Sequence, residues 1–229
     1  MVEAVGDGTL RDIDRDAVDF QVGELLRSRP GITGAFLADA DCTLTAVKPA
    51  TPEIVGKNFA FRDWCHGVQR TGRPYVSEAY RTQIVGNSLV VAAIVPIREG
   101  RSSDAVPPAE PVAYLAAVFT LTEIQSFVED LADEKGISLT IADARGTLLA
   151  DADTDSLPSE LYTLADDPLI GLGLLGEAGV AETGVGRERV VAAYTPVSSL
   201  GWVARPRCRP TPPSHRSPTC GGPCCRSPR

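Results

Sequence analysis

The segment Val190-Val191-Ala192-Ala193-Tyr194-Thr195-Pro196-Val197 repeats, about 100 residues downstream, the pattern Val90-Val91-Ala92-Ala93-Ile94-Val95-Pro96-Ile97. Both runs are apolar, rich in β-branched residues and too short for a helix, as buried strands are. A second pair recurs at a similar offset. Ile32 to Ala38, the turn Asp39-Ala40-Asp41-Cys42 and Thr43 to Val47 are echoed by Ile137 to Ala142, the turn Asp143-Ala144-Arg145-Gly146 and Thr147 to Ala150. That offset is the size of one small domain, and a chain of 229 residues can bury the core of two. The sequence therefore predicts a duplicated α/β (α+β) module: two tandem domains, each built on a central antiparallel sheet, preceded by a helix.

The elements between the repeats differ. Leu10, Ile13, Val18, Val22, Leu25 and Leu26 fit an amphipathic helix that ends at Ser28-Arg29-Pro30-Gly31. Between Gly56 and Ile97, Asn58 is a candidate cap for a helix whose buried face carries Phe61, Trp64, Cys65 and Val68. Successive residues turn by about 100°, which sets Arg62 and Gln69 at one edge of that stripe and Asp63 on the other side. After Gly72-Arg73-Pro74, Tyr75 to Tyr80 predicts a strand, Gly86-Asn87 a turn and Ser88 to Ile97 a buried strand. A loop over 98–111, a strand over 112–119 and a helix from Thr122 to near Gly136 follow, the helix burying Ile124, Phe127, Val128 and Leu131. The resulting division is 1–29 helix, 30–121 first domain, 122–136 connecting helix, 137–204 second domain and 205–229 tail.

Charge and cysteines narrow the function. The net charge is −8 although residues 205–229 hold six Arg and no acidic residue, so the body is strongly acidic and offers no nucleic-acid surface. No apolar run reaches the roughly 18 to 20 residues needed to cross a bilayer. Cys65 is expected as a free, buried thiol, a disulfide with Cys42 being the alternative. Gly171-Leu172-Gly173-Leu174-Leu175-Gly176 has the letters of a dinucleotide fingerprint but lacks the preceding strand. Asp151, Asp153 and Asp155 open like a calcium loop, but Ser156 and Tyr162 stand where glycine and a bidentate glutamate are needed. Cys65 and His66 diverge on a helix and cannot act as nucleophile and base. Cys208, His215, Cys220, Cys224 and Cys225 fit no compact zinc spacing, and Pro at seven of the 25 tail positions opposes packing. The tail is expected to be disordered, the last strand stopping at Ala204. No metal, cofactor or catalytic centre is expected. The competing readings are an enzymatic or cofactor-binding α/β protein, and a basic zinc-binding tail on a structural body.

Gly56, an aromatic, Arg62-Asp63-Trp64, then Thr71-Gly72-x-Pro74-Tyr75-Val76-Ser77 and an apolar strand ending Pro96-Ile97 resemble the ligand-binding segment of double Cache sensor domains. Those domains are extracytoplasmic input modules of bacterial chemoreceptors, sensor kinases, cyclases and phosphatases. The resemblance extends over most of residues 10–203. It implies two PAS-like domains, a membrane anchor outside these residues, a cytoplasmic output module, a homodimer through the N-terminal helix, and a small-molecule ligand in the first half. It also implies a site in which Arg62 takes an anionic group and Trp64 forms a wall. Cys65 stands where amino-acid sensors of the family carry Tyr. Val118 stands where they carry the aspartate that holds a ligand ammonium, so carboxylates without an amine are expected in preference to amino acids. Tyr75, Ser77, Tyr80 and Thr82 complete the expected polar lining.

Overall fold

The computed structural model describes residues 15–29, 31–84, 86–98, 110–154, 157, 159–183 and 190–208. These described residues fall into two compact units divided between Ile124 and Gln125, with 159–161 grouped with the first unit.

In the first unit, helix α1 (Arg15–Ser28) precedes the hairpin β1 (Gly34–Asp39) and β2 (Leu44–Lys48). Helix α2 (Asp63–Thr71), the short strands β3 (Tyr75–Val76) and β4 (Tyr80–Arg81), and the long strands β5 (Leu89–Arg98) and β6 (Pro111–Thr120) follow. The sheet is antiparallel in the order β2-β1-β6-β5-β3, with β4 also on β5. Alternation along β6 divides the core. Ala113 and Leu115 face Val22, Leu25 and Leu26 of α1, whereas Tyr114, Ala116 and Val118 face Trp64, Cys65 and Val68 of α2.

The second unit repeats the plan. Helix α3 (Leu121–Lys135) leads into β7 (Ile137–Ala142) and β8 (Leu148–Asp151), then α4 (Pro168–Leu174), β9 (Gly179–Thr183), β10 (Val190–Val197) and β11 (Trp202–Cys208). Its sheet order, β8-β7-β11-β10-β9, is that of the first sheet, with β7–β8 in the place of β1–β2 and β10 in the place of β5. The hairpin turns match atom for atom. Asp39 accepts from the backbone N–H of Asp41 and Thr43 at 3.0 and 2.8 Å, and Asp143 from those of Arg145 and Thr147 at 2.9 and 2.8 Å. The left-handed position of this turn is Gly146 (φ 78°) in one copy and Cys42 (φ 64°) in the other.

Several local expectations change. Helix α2 starts at Asp63 with Arg62 as its N-cap residue, because Asn58 bonds instead to Ala60 N, Asp41 O and Thr43 Oγ1. Phe61 thus falls before the helix and is 68% exposed. The segment from Tyr75 to Tyr80 is two short strands, because Asp63 captures the N–H of Glu78 at 2.8 Å between them. On α3, Phe127 is exposed, and Leu121, Gln125, Val128 and Ala132 form the buried face. The unit boundary falls inside α3, whose Gln125 accepts from Asp151 N and donates to Asp151 O, both at 2.9 Å. The last strand continues past Ala204 to Cys208, pairing Arg205, Pro206, Arg207 and Cys208 with Thr140, Leu139, Ser138 and Ile137. The remaining tail lies outside the described residues, and with it four of the five zinc-ligand candidates.

Candidate ligand site

Arg62 has extended backbone (φ −81°, ψ 145°), and its carbonyl accepts from Cys65 N and His66 N, which opens α2. Its guanidinium lies 4.9 Å from the Tyr80 ring centroid and 5.2 Å from that of Phe61, and it donates to Arg81 O at 3.3 Å. Among the described residues it has no carboxylate partner. One turn on, Trp64 is buried and its ring meets that of Phe36 at 5.1 Å. These side chains border a cavity of about 20 Å³, room for about one water. Phe36, Leu44, Ile54 and Phe59 line it from the β1–β2 side, and Arg62, Trp64, Tyr80, Thr82, Gln83 and Ile84 from α2 and β4.

Of the expected site residues, Arg62, Trp64, Tyr80 and Thr82 come together at this cavity, and Cys65, Tyr75, Ser77 and Val118 do not. Cys65 is bonded to Cys42, with Cα atoms 6.2 Å apart, so the expected free thiol of Cys65 gives way to the disulfide alternative. Helical rotation turns Cys65 toward the β1–β2 turn, where the left-handed Cys42 meets it. Tyr75 packs its ring against Gly67, where an added Cβ would lie 2.2 Å from it, and donates to Asp63 at 3.0 Å. Ser77 Oγ accepts from Ala92 N and donates to Glu78 O, a purely backbone-directed role. Val118 is fully buried beside Gly34 and Ala92 in the sheet. Gln69 is drawn away to Ala40 O at 3.1 Å.

The missed lining residues are apolar except for Gln83. Phe36 and Leu44 were legible as inward strand positions, but Ile54 sits in a single 3-10 turn (Pro52–Ile54) and Phe59 in a loop, where no period exists to find them.

The phenols are shifted up. Burial, then the Asp63 carboxylate and its hydrogen bond, push Tyr75 to about 12. Burial raises Tyr80 as well, the Arg62 cation partly opposing it, and burial raises Tyr114. Since an unfolded phenol titrates near about 10, this stability is complete below that pH and is lost as pH rises toward the folded values. Urea midpoints are therefore expected to fall from about pH 10 upward, in step with tyrosinate absorbance. Ionisation of all five tyrosines near pH 10 without loss of the folded state contradicts the buried arrangement.

No family model and no curated protein matches the chain. Solved structures do. An extracellular ligand binding receptor from Desulfohalobium retbaense aligns at TM-score 0.61 and 11% identity over 83% of this chain, which spans 33% of that one. The ligand binding domain of the Pseudomonas aeruginosa chemoreceptor PctB, in complex with L-Gln, aligns at 0.59 and 17%, over 86% of this chain and 76% of that one. That of Pseudomonas fluorescens CtaA, with L-isoleucine, aligns at 0.60 and 15%, over 85% and 76%. This chain has the double Cache fold. Within that fold the cavity belongs to the first unit. The matching region of the second unit is filled differently: Gly173 of α4 abuts Val203, and Leu164, Ile170 and Leu174 close over Ala142. Gly171 and Gly173 lie within α4 and Gly176 just beyond it, with no strand leading directly into the run as a dinucleotide site requires. No helix among the described residues is long and apolar enough to cross a membrane.

Proposed function

We propose that this chain is the extracytoplasmic ligand-sensing part of a bacterial transmembrane signalling protein, and that it binds a small polar or carboxylate molecule in its first unit. The observation that carries this reading is Arg62, a guanidinium held by two aromatic faces at the rim of a Trp64-walled cavity without a carboxylate partner among the described residues. Its paired N–H donors suit a carboxylate, and such charge-assisted bonds are about twice as strong as neutral ones. Solved domains of this fold are known in complex with L-Gln and L-isoleucine, which supports a recognition role. The chain then performs no chemistry on its ligand. Cys65 is tied up in a disulfide, and the adjacent His66 is exposed. The ligand signal would pass to a cytoplasmic output module, with α1 as the homodimer contact.

Titration calorimetry of amino acids, organic acids and neutral polar molecules tests the reading, alongside native mass spectrometry for a co-purified molecule. At least one ligand is expected to bind wild type and to weaken about 10- to 100-fold in Arg62→Ala, the loss of a charged hydrogen-bond pair. Failure of the whole panel with nothing co-purifying, or binding indifferent to the substitution, overturns it.

A further inference from the structure

The cavity selects among carboxylates. We infer that the ligand of the first unit is a short monocarboxylate with an apolar body and no α-amino group; the inference rests on the sensor reading above.

Three features of the lining point the same way. First, it supplies one cation, Arg62, and none of its ten residues is Asp or Glu. The nearest carboxylate in sequence, Asp63, is held by Tyr75 Oη and Glu78 N. An ammonium buried there would lack a counter-charge, and so would a second carboxylate, which would also need a second cation. Val118, on the sheet face toward Trp64, adds no polar atom. Second, most of the lining is apolar: Phe36, Leu44, Ile54, Phe59, Trp64 and Ile84. Such a surface gains free energy from covering hydrocarbon and loses it on dehydrating hydroxyls or amides. The uncharged polar groups of the lining are Thr82, Gln83, the Tyr80 hydroxyl and the Trp64 indole N–H, and of these residues Tyr80 is the one whose ring lies against the Arg62 guanidinium, at 4.9 Å. Third, the space is small. At about 20 Å³ it must widen for any organic ligand, and each added group asks for more widening, so acids of about two to five carbons demand the least. Thr82 Oγ1 accepts from Ile84 N at 3.1 Å, which fixes the local turn that carries both lining residues.

Four near-isosteric probes isolate each feature: isovalerate, L-valine (the same acid with an α-amino group), isovaleramide (the same body without charge) and succinate (a second carboxylate). Calorimetry on the whole chain is expected to rank isovalerate at least about tenfold tighter than each of the other three, and Arg62→Ala is expected to abolish that preference over isovaleramide. L-valine or succinate binding as tightly as isovalerate overturns the inference and leaves the sensor reading standing. Silence of all four probes also overturns it. The sensor reading itself is removed only by the two outcomes that test it: silence across the broad panel with no co-purified molecule, or binding indifferent to Arg62→Ala. A Phe59→Trp variant gives a second check that does not depend on Arg62: narrowing the apolar wall is expected to weaken isovalerate more than acetate, and equal effects on both count against a hydrocarbon-facing wall.

Discussion

Replacing Arg205 with Ala is expected to destabilise the second unit by about 3 kcal/mol and to leave the first unit unchanged. The guanidinium is 13% exposed, is ion-paired to Asp167 and donates to Thr140 Oγ1 at 3.2 Å. Asp167 is also the N-cap of α4, accepting from Leu169 N and Ile170 N at 3.0 and 3.2 Å, so one carboxylate joins the helix start to the β7–β11 ladder. Removing the arginine strands a part-buried anion, and the cost of breaking such a pair exceeds what the intact pair contributes. Asp167→Asn retains a capping oxygen and loses the charge, so it is expected to cost less than Arg205→Ala. A chain ended at Ala204 loses the ladder to Ser138 and Thr140 as well and is expected to melt lowest of the three. The two tryptophans fall one in each unit, so Trp202 fluorescence in a Trp64→Phe background follows the second unit in urea. Equal midpoints for wild type and the Ala204 truncation would show that strand β11 stops at Ala204, as the sequence alone predicts.

That strand shows where sequence and structure part. The repeated runs specified both sheets because alternation and β-branched composition act locally, and the two sheet orders agree. Residues 205–208 were hidden by composition: Arg, Pro, Arg and Cys resemble the tail that follows, and only the partners Asp167, Thr140 and Asp153, distant in sequence, make them a strand. The same holds at the site. Arg62 and Trp64 were legible from a helical period together with family resemblance, but the period placed Phe61 inside, and a cap shifted to Arg62 put it outside. Tyr75 and Ser77 looked like pocket residues because they are polar and lie on a strand. Their partners, Asp63 and the backbone of Ala92, are fixed by tertiary packing that no local pattern encodes.

Breaking the Cys42–Cys65 disulfide is expected to cost the first unit about 3 kcal/mol, the chain-entropy figure for a closed loop of this length. The bridge spans 23 residues and joins the β1–β2 turn to the first turn of α2. Both cysteines are fully buried, so reductant reaches them only through unfolding, and the native protein is expected to keep the bond under mild reduction. Urea unfolding with and without reductant measures the difference; a Cys42→Gly, Cys65→Ala variant separates the bond from the turn. Glycine at position 42 copies Gly146 of the second unit and relieves the left-handed φ of 64°, so that variant is expected to lose less than the reduced wild type. The bond also bears on recognition. Cys65 N donates to Arg62 O at 3.1 Å, so the residue that starts the helix and faces the cavity is one hydrogen bond from the staple. If the bond holds that helix start in place, the disulfide-free variant weakens carboxylate binding beyond its loss of folded protein, read from calorimetry at a temperature where both proteins are fully folded. Unchanged affinity there, with stability reduced, confines the disulfide to the scaffold.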